Sequence, residues 1–401
     1  MATGVAGTGV VRSLNATRGG RIILRMIERL YVHNFRCLEN FELVLGSRPS
    51  TLLIGRNGAG KSTVAFALEI LQRIGRGTTR VDDLVKPKDL TRGRAAVPMR
   101  FEVEARLDAK AYKYTVAFDF PSGFKELRVF HEQLLVDGAT VFSRELAEVR
   151  LMRAGRAQEV SFRIDWNNVA LPIVQSPGSA TDDPISVFRQ SLATMLILRP
   201  IPSRARGDSE LGTTQPDAEV ENLGEWFTGL FAHVPEAYEG MSDFLKDIMP
   251  DLQGVRNISV GGNHKRLTAQ FKVKDSSLSI PFEELSDGEK CFVICALVVA
   301  ANEASTPSLC FWDEPDNFVG TSEIGNMILA LRQSFRTRGQ LIVTSHNTEA
   351  VSRFSEENTL VLYRNSHLEP AIVRSVEEIR SSGGFTGSFI AALVRGDVIR
   401  S

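Results

Sequence analysis

The sequence predicts an α/β fold in which a mixed central sheet is covered by helices, with an antiparallel β meander beside it and an inserted helical subdomain. Three observations predict it. Short apolar runs at residues 51–54, 309–312 and 341–344 read as strands buried on both faces, the habit of parallel sheets. Helical periodicities stand between such runs, as the alternation of strand and helix requires. Residues 99–175, in contrast, hold a succession of segments that alternate apolar with polar residues, as half-buried antiparallel strands do.

Taken in order, residues 1–25 lack an apolar signal core and are rich in Gly, Ala, Thr and Arg, so they read as a disordered tail, with structure expected from Met26. IERLYVHNF, FELVL and TLLIG are two strands and a third that runs into a glycine-rich turn. From Lys61 the period becomes helical, with Val64, Leu68 and Leu71 on one face. The meander follows, then loops at 176–183 and 205–217, with a helix at 185–197 between them. Residues 219–248, carrying Trp226, Phe227, Leu230, Phe231, Phe244 and Leu245, read as packed helices. Strands near 257–260 and 267–273 lead to a helix at 290–301 that is apolar nearly all round and is therefore buried. Ile324, Met327, Ile328, Leu331 and Phe335 fall in register on a further helix. The expected division is a tail 1–25, an N-terminal lobe 26–175, a mainly helical insertion 176–255 and a C-terminal lobe 256–401.

A net charge of −1 excludes a polycation that coats nucleic acid as a whole and confines any such surface to a patch. Residues 12–80 are rich in Arg and poor in acids, Arg150, Arg153, Arg156 and Arg163 form a second basic run, and residues 217–251 hold nine acids against the base Lys246. Solvated faces of opposite sign are the plain reading of these runs. Cys37, Cys291, Cys295 and Cys310 form no C-x-x-C pair; three of them sit in apolar runs, where cysteine acts as a small hydrophobe. That usage suits a reducing compartment, and no stretch is apolar for long enough to span a bilayer. A cytoplasmic location is expected, without a membrane partner.

Four motifs carry chemistry. Gly55-Arg56-Asn57-Gly58-Ala59-Gly60-Lys61-Ser62-Thr63, between a strand and a helix, is a phosphate-binding loop in the context that confirms it. Its glycines let backbone N–H groups curl around phosphates, Lys61 adds positive charge, and the Ser62 hydroxyl is a Mg²⁺ ligand. Asp313 and Glu314 follow the apolar run 309–312. A carboxylate pair after a strand is weak evidence by itself, but beside a phosphate loop Asp313 suits Mg²⁺ and Glu314 suits the attacking water as general base. Leu285-Ser286-Asp287-Gly288-Glu289 opens a helix with a hydroxyl and a glycine; alone it is a good helix cap. His346, after the run QLIVTS, stands at a strand's carboxyl end and is placed to reach a terminal phosphate.

In this order the motifs resemble the ABC-type ATPase set: Walker A (GRNGAGKS), signature (LSDGE), Walker B with its glutamate (CFWDE), D-loop (PDN) and switch histidine (TSH). The resemblance implies that ATP and Mg²⁺ are the cofactors. It further implies that two ATP molecules are sandwiched between two copies of the chain, with Lys61, Ser62, Asp313, Glu314 and His346 acting in cis, Ser286 and Gly288 in trans, and Asp316 near the seam. The opening LYVHNFRCL resembles the start of RecF, SMC and OLD-like ATPases, in which an Arg approaches the nucleotide; Arg36 is the matching position. The signature departs from a transporter's Ser-Gly-Gly-Gln, and more than 200 residues separate Lys61 from Ser286. Gln72, Gln133 and Gln190 are all candidates for the Q-loop glutamine, and Glu132 in the meander has no assigned chemistry.

The expected function is an ATP-driven clamp whose closure is relayed to double-stranded DNA, suggested by the Arg runs, or to a protein effector such as a nuclease, as in DNA maintenance or anti-phage defence. About 55 residues follow His346, too few for the nuclease domain of OLD proteins, so nuclease chemistry is not expected within this sequence. The alternatives are the ATPase subunit of a membrane transporter and a nucleotide-binding regulator with little turnover.

Overall fold

The computed structural model describes residues 25–152, 159–174, 183–305 and 307–381. The expected tail at 1–25 and loop at 176–183 lie almost wholly outside them, as do Arg153 and Arg156 of the second basic run. A six-stranded sheet forms the centre, in the order Leu196–Leu198, Cys310–Trp312, Leu341–Thr344, Ser50–Ile54, Thr359–Tyr363, Ile372–Ser375. The first five strands are parallel and the last is antiparallel. Each parallel strand is buried because its side chains alternate between two packed faces. Leu53, Phe311 and Ile342 enter one core with the meander; Leu52, Ile54, Trp312 and Val343 enter another with the helix Asp287–Ser305.

The meander is an eight-stranded antiparallel sheet, and it includes the first two strands of the chain, Arg25–His33 and Phe41–Val44. The strand Met99–Leu107 falls where its alternation placed it. A third, four-stranded sheet carries Asp208–Ser209, Leu252–Gly261, His264–Val273 and Ser276–Pro281.

Two expectations change. The helix expected over 185–197 ends at Ala193, and Leu196–Leu198 becomes an edge strand paired with Cys310–Trp312. Its Ala193–Leu192 turn presses on Gly75, where a Cβ would lie 2.6 Å from the Ala193 nitrogen. The expected mobile loop at 205–217 is instead tied down: Asp208–Ser209 pairs with His264–Val273, and the Thr213 N–H donates to the Glu225 carbonyl. Within 219–248 the helices are Leu223–His233 and Ala237–Ile248, the second packed on Asp287–Ser305. Cys291, Cys295 and Cys310 are free thiols inside this core, and burial pushes the Cys291 thiol up to about 12. No helix among the described residues is long and apolar enough to cross a membrane.

Candidate nucleotide site

Four adjacent parallel strands deliver their carboxyl ends to one place, the usual location of ligands in open α/β sheets. Ser50–Ile54 runs into the phosphate loop and the helix Lys61–Gly75; Cys310–Trp312 delivers Asp313 and Glu314; Leu341–Thr344 delivers His346; Thr359–Tyr363 delivers Arg364. The loop needs its glycines for two reasons. Gly60 has φ 114°, a backbone that L side chains rarely adopt, and a Cβ at Gly55 would sit 2.2 Å from the Leu362 carbonyl oxygen.

Inside the cup, Lys61 Nζ donates to the Gly55 carbonyl at 2.9 Å. The same nitrogen lies 2.7 Å from His346 Nε2 and 3.6 Å from Glu314 Oε1. His346 Nε2 is also 2.8 Å from Glu314 Oε1, so its protonation decides its partner. A protonated Nε2 donates to the carboxylate; a bare one accepts from the ammonium. The Glu314 carboxyl is held down to about 2, first by the His346 hydrogen bond and then by Asn317 and Lys61, against its burial. Burial lowers the Lys61 ammonium, opposed by the charges of Glu314 and Asp313. Glu314 also has φ 52°, strained for a non-glycine residue, the kind of backbone that tends to collect at functional sites.

Ser62 Oγ donates to Asp313 Oδ2 at 2.6 Å, and Thr344 Oγ1 donates to Asp313 Oδ1 at 2.6 Å. A hydroxyl and a carboxylate at the base of a phosphate cup are hard oxygen donors, the set Mg²⁺ takes alongside nucleotide oxygens and water. No group of three or more His, Cys, Asp or Glu suited to a metal occurs among the described residues. Arg36 sits at φ 51°, its Nε donating to Asp89 Oδ1 at 2.9 Å and its guanidinium 4.2 Å from the Phe66 ring centre. A cleft of about 590 Å³ gathers Arg36, Asn57, Gly58, Gly60, Lys61, Ser62, Thr63 and Glu314. Ala59 lines a neighbouring cleft with Asn57, Gly58 and His346.

Ser286 and Gly288 line neither cleft. They open the helix Asp287–Ser305, where Ser286 Oγ donates to Glu289 Oε2 at 2.7 Å and the Glu289 N–H reaches back at 3.3 Å. A Cβ on Gly288 would lie 3.2 Å from the Phe318 carbonyl, so the signature touches the segment after the D-loop. Asp316 is largely buried, burial raises its carboxyl pKa, and its Oδ1 has no hydrogen-bond partner. Of the glutamines, Gln72 donates to the Met195 carbonyl inside the protein and so faces no nucleotide.

Reading the sequence alone missed Thr344, whose hydroxyl joins Asp313 to the Glu314 N–H at 2.9 Å. It also missed Asn317, which donates to Glu314 Oε2 at 2.9 Å, Asp89 behind Arg36, and Arg364. Thr344 and Asn317 stand inside the TSH and PDN motifs, which was signal enough; Arg364 stands in a polar hairpin loop that carries none.

A strand, phosphate loop and helix, with a carboxylate pair on the next strand but one, define a P-loop nucleoside triphosphatase. Residues 50–352, well over half of the chain, match the family described as "AAA domain, putative AbiEii toxin, Type IV TA system", and the chain belongs to that family. It is similar to an OLD nuclease of Thermus scotoductus, with 50% identity over 46 residues, 12% of this chain and 8% of that protein. A methionine import ATP-binding protein, MetN, of Helicobacter acinonychis shares 33% identity over 99 residues, 24% of this chain and 30% of that protein. The matched stretches thus span less than a third of these relatives' lengths. In fold the chain is similar to an Smc head domain with an extended coiled coil, bound to the C-terminal domain of ScpA and derived from Pyrococcus furiosus. The TM-score is 0.54 at 12% identity, covering 89% of this chain and 98% of that one. An SmcHead bound to the C-winged helix domain of ScpA gives 0.51 at 14% identity, covering 89% and 99%. The chain is a P-loop ATPase of that family, with a fold similar to that of an Smc head domain.

Proposed function

We propose that this chain binds and hydrolyses ATP as a homodimer that closes around two nucleotides, and that closure and opening drive a switch in DNA or in a protein effector. The observation that carries the reading is the split of the motifs. Phosphate loop, Asp313, Glu314 and His346 meet in one cup, whereas Ser286 and Gly288 open a helix outside it. A second copy is the natural source of further donors, because a helix N-terminus favours the negative charge of a phosphate and Ser286 stands exposed at this one.

In this reading the loop N–H groups and Lys61 hold the β- and γ-phosphates, and Arg36, tethered by Asp89, adds a cation at the rim. Ser62 and Asp313 hold Mg²⁺, which when bound neutralises phosphate charge. Glu314, fixed by Asn317 and kept ionised, positions the attacking water and receives its proton, and His346 faces the terminal phosphate. Such chemistry is mostly positioning and charge stabilisation, which suits a cup built from four strand ends.

The DNA arm of the switch receives narrower support than the Arg-rich sequence offers. Arg29 pairs with Glu42 and Glu104, Arg48 donates to main-chain carbonyls, and Arg76 donates to the carbonyls of Ala193 and Pro216. These side chains serve the fold. The MetN stretch favours a transporter role, yet it spans 24% of this chain, against 89% for the head-domain likeness.

The decisive test is Glu314→Gln with saturating ATP and Mg²⁺. It keeps ATP binding, loses turnover and accumulates a dimer in sedimentation velocity; a variant that stays monomeric removes the sandwich. Turnover of the unaltered chain with and without linear double-stranded DNA then separates the two switches. A salt-sensitive rise assigns the DNA arm, and indifference assigns the effector arm.

A further inference from the structure

The charge of the chain changes sign at residue 252. Residues 217–251 hold nine acids, whereas residues 252–274 hold five Lys or Arg and no Asp or Glu. This basic stretch folds as a two-stranded ribbon, Leu252–Gly261 paired with His264–Val273. Its root is packed: Val255, Leu267 and Ala269 are buried in one core with the helix Asp287–Ser305. Its tip is bare. Every residue from Ile258 to Arg266 is exposed, and a Cβ on Gly261 or Gly262 would meet nothing within 4 Å.

The cations occupy both faces of the ribbon. Side chains alternate along a strand, and residues paired across it share a face. The register Arg256 to Thr268 and Ile258 to Arg266 puts Arg256, Arg266 and Lys272 on one face; Ser259 to Lys265 puts Lys265 on the other. Arg266 is paired with Asp208 at 3.0 Å, but Arg256, Lys265, Lys272 and Lys274 have no ion pair among the described residues. The helix Ala237–Ile248, with Glu239, Asp243 and Asp247 exposed, lies against the root, so an anion is repelled there and drawn to the tip.

A flat acidic partner, whether a protein face or a membrane, meets one face of such a ribbon. A duplex groove meets both, because phosphates run along each wall, and the major groove is wide enough for a two-stranded ribbon. We infer that the ribbon 252–274 binds duplex DNA, its tip in a groove and Arg256 and Lys265 on phosphates of opposite walls. The inference rests on the DNA arm of the reading above and gives it a place on the molecule. It also gives it a route, since Ser276–Pro281 pairs with the ribbon and runs through Phe282–Glu284 into the helix Asp287–Ser305.

The test is fluorescence anisotropy of a labelled linear duplex with the full chain, ATP and Mg²⁺, over a range of salt. Arg256→Gln and Lys265→Gln should each weaken binding equally on unrelated sequences and reduce the log–log salt slope by about 1, the mark of a lost phosphate contact. Arg256→Glu combined with Lys265→Glu should weaken binding by about tenfold or more at low salt, and any DNA-dependent rise in turnover should shrink with it. Urea unfolding midpoints check that each variant folds. A chain that binds no duplex removes the DNA arm of the reading and this surface with it. A chain that binds duplex equally well in every variant removes this surface alone. Binding to phosphatidylserine vesicles but not to duplex, lost in the same variants, gives the tip to a membrane surface and overturns the proposal.

Discussion

Two of the ion pairs among the described residues, one in the meander and one in the nucleotide cup, are finished in opposite ways. In the meander, Arg144 and Glu132 are wholly buried 3.8 Å apart. Arg144 donates to the carbonyls of Leu146, Asn168 and Asp165; Glu132 accepts from the Tyr114 hydroxyl and from the N–H groups of Ala170 and Leu171. The pair pins the segment after the meander onto the sheet and leaves nothing unsatisfied for a ligand. In the nucleotide cup, Lys61 and Glu314 are 3.6 Å apart, but they face an open cleft and share a histidine. Burial pushes the Glu132 carboxyl pKa up, while the hydrogen bond from His346 holds that of Glu314 down to about 2. Saturation of hydrogen bonds, rather than burial of charge, separates a brace from a site.

The largest effect expected from this contrast is on the brace. Arg144→Met leaves Glu132 buried without its cation and should cost about 3–5 kcal/mol of stability in urea unfolding. ATP turnover per folded molecule should stay as it was; turnover lost at nearly full stability would make the meander part of the machinery and end the contrast. The next effect is on the site. Lys61→Ala removes a charged donor to phosphate and should weaken ATP binding in calorimetry by about 1.5–3 kcal/mol. Folding should not suffer comparably, because burial already works against the ammonium. A variant that unfolds easily yet binds ATP normally would make Lys61 a second brace.

The phosphate loop, the carboxylate pair and His346 were legible because their chemistry fixes residue type and spacing and each stands at the end of an apolar strand. The buried strands Leu341–Thr344 and Cys310–Trp312 were legible for the same reason, since residues between two packed faces are mostly apolar. Leu196–Leu198 was not. Three apolar residues show no period, and they continued the helical pattern of Pro184–Ala193 until tertiary pairing with Cys310–Trp312 decided otherwise. The strand Glu148–Met152 was lost among charges, because its outward face carries Glu148, Arg150 and Met152. Arg364 was hidden for another reason: a polar hairpin loop looks the same in sequence whether it hangs in solvent or leans on a phosphate cup.

Thr344 offers the finest discrimination. It is wholly buried, yet its hydroxyl donates to Asp313 Oδ1 and accepts from the Glu314 N–H, so one side chain fixes the Asp313 carboxylate and the strained backbone of Glu314. Thr344→Val keeps the branched shape and removes both bonds, leaving one buried N–H unpaired, at about 1–3 kcal/mol. If Thr344 is only a brace, that cost appears in unfolding alone. If it positions the site, turnover should also fall by about tenfold while the ATP dissociation constant moves little, because Lys61 and the loop N–H groups are untouched. Thr344→Ser, which restores the hydroxyl without the methyl, should then return most of the turnover and less of the stability, and failure of that rescue would place Thr344 with Arg144 rather than with Glu314.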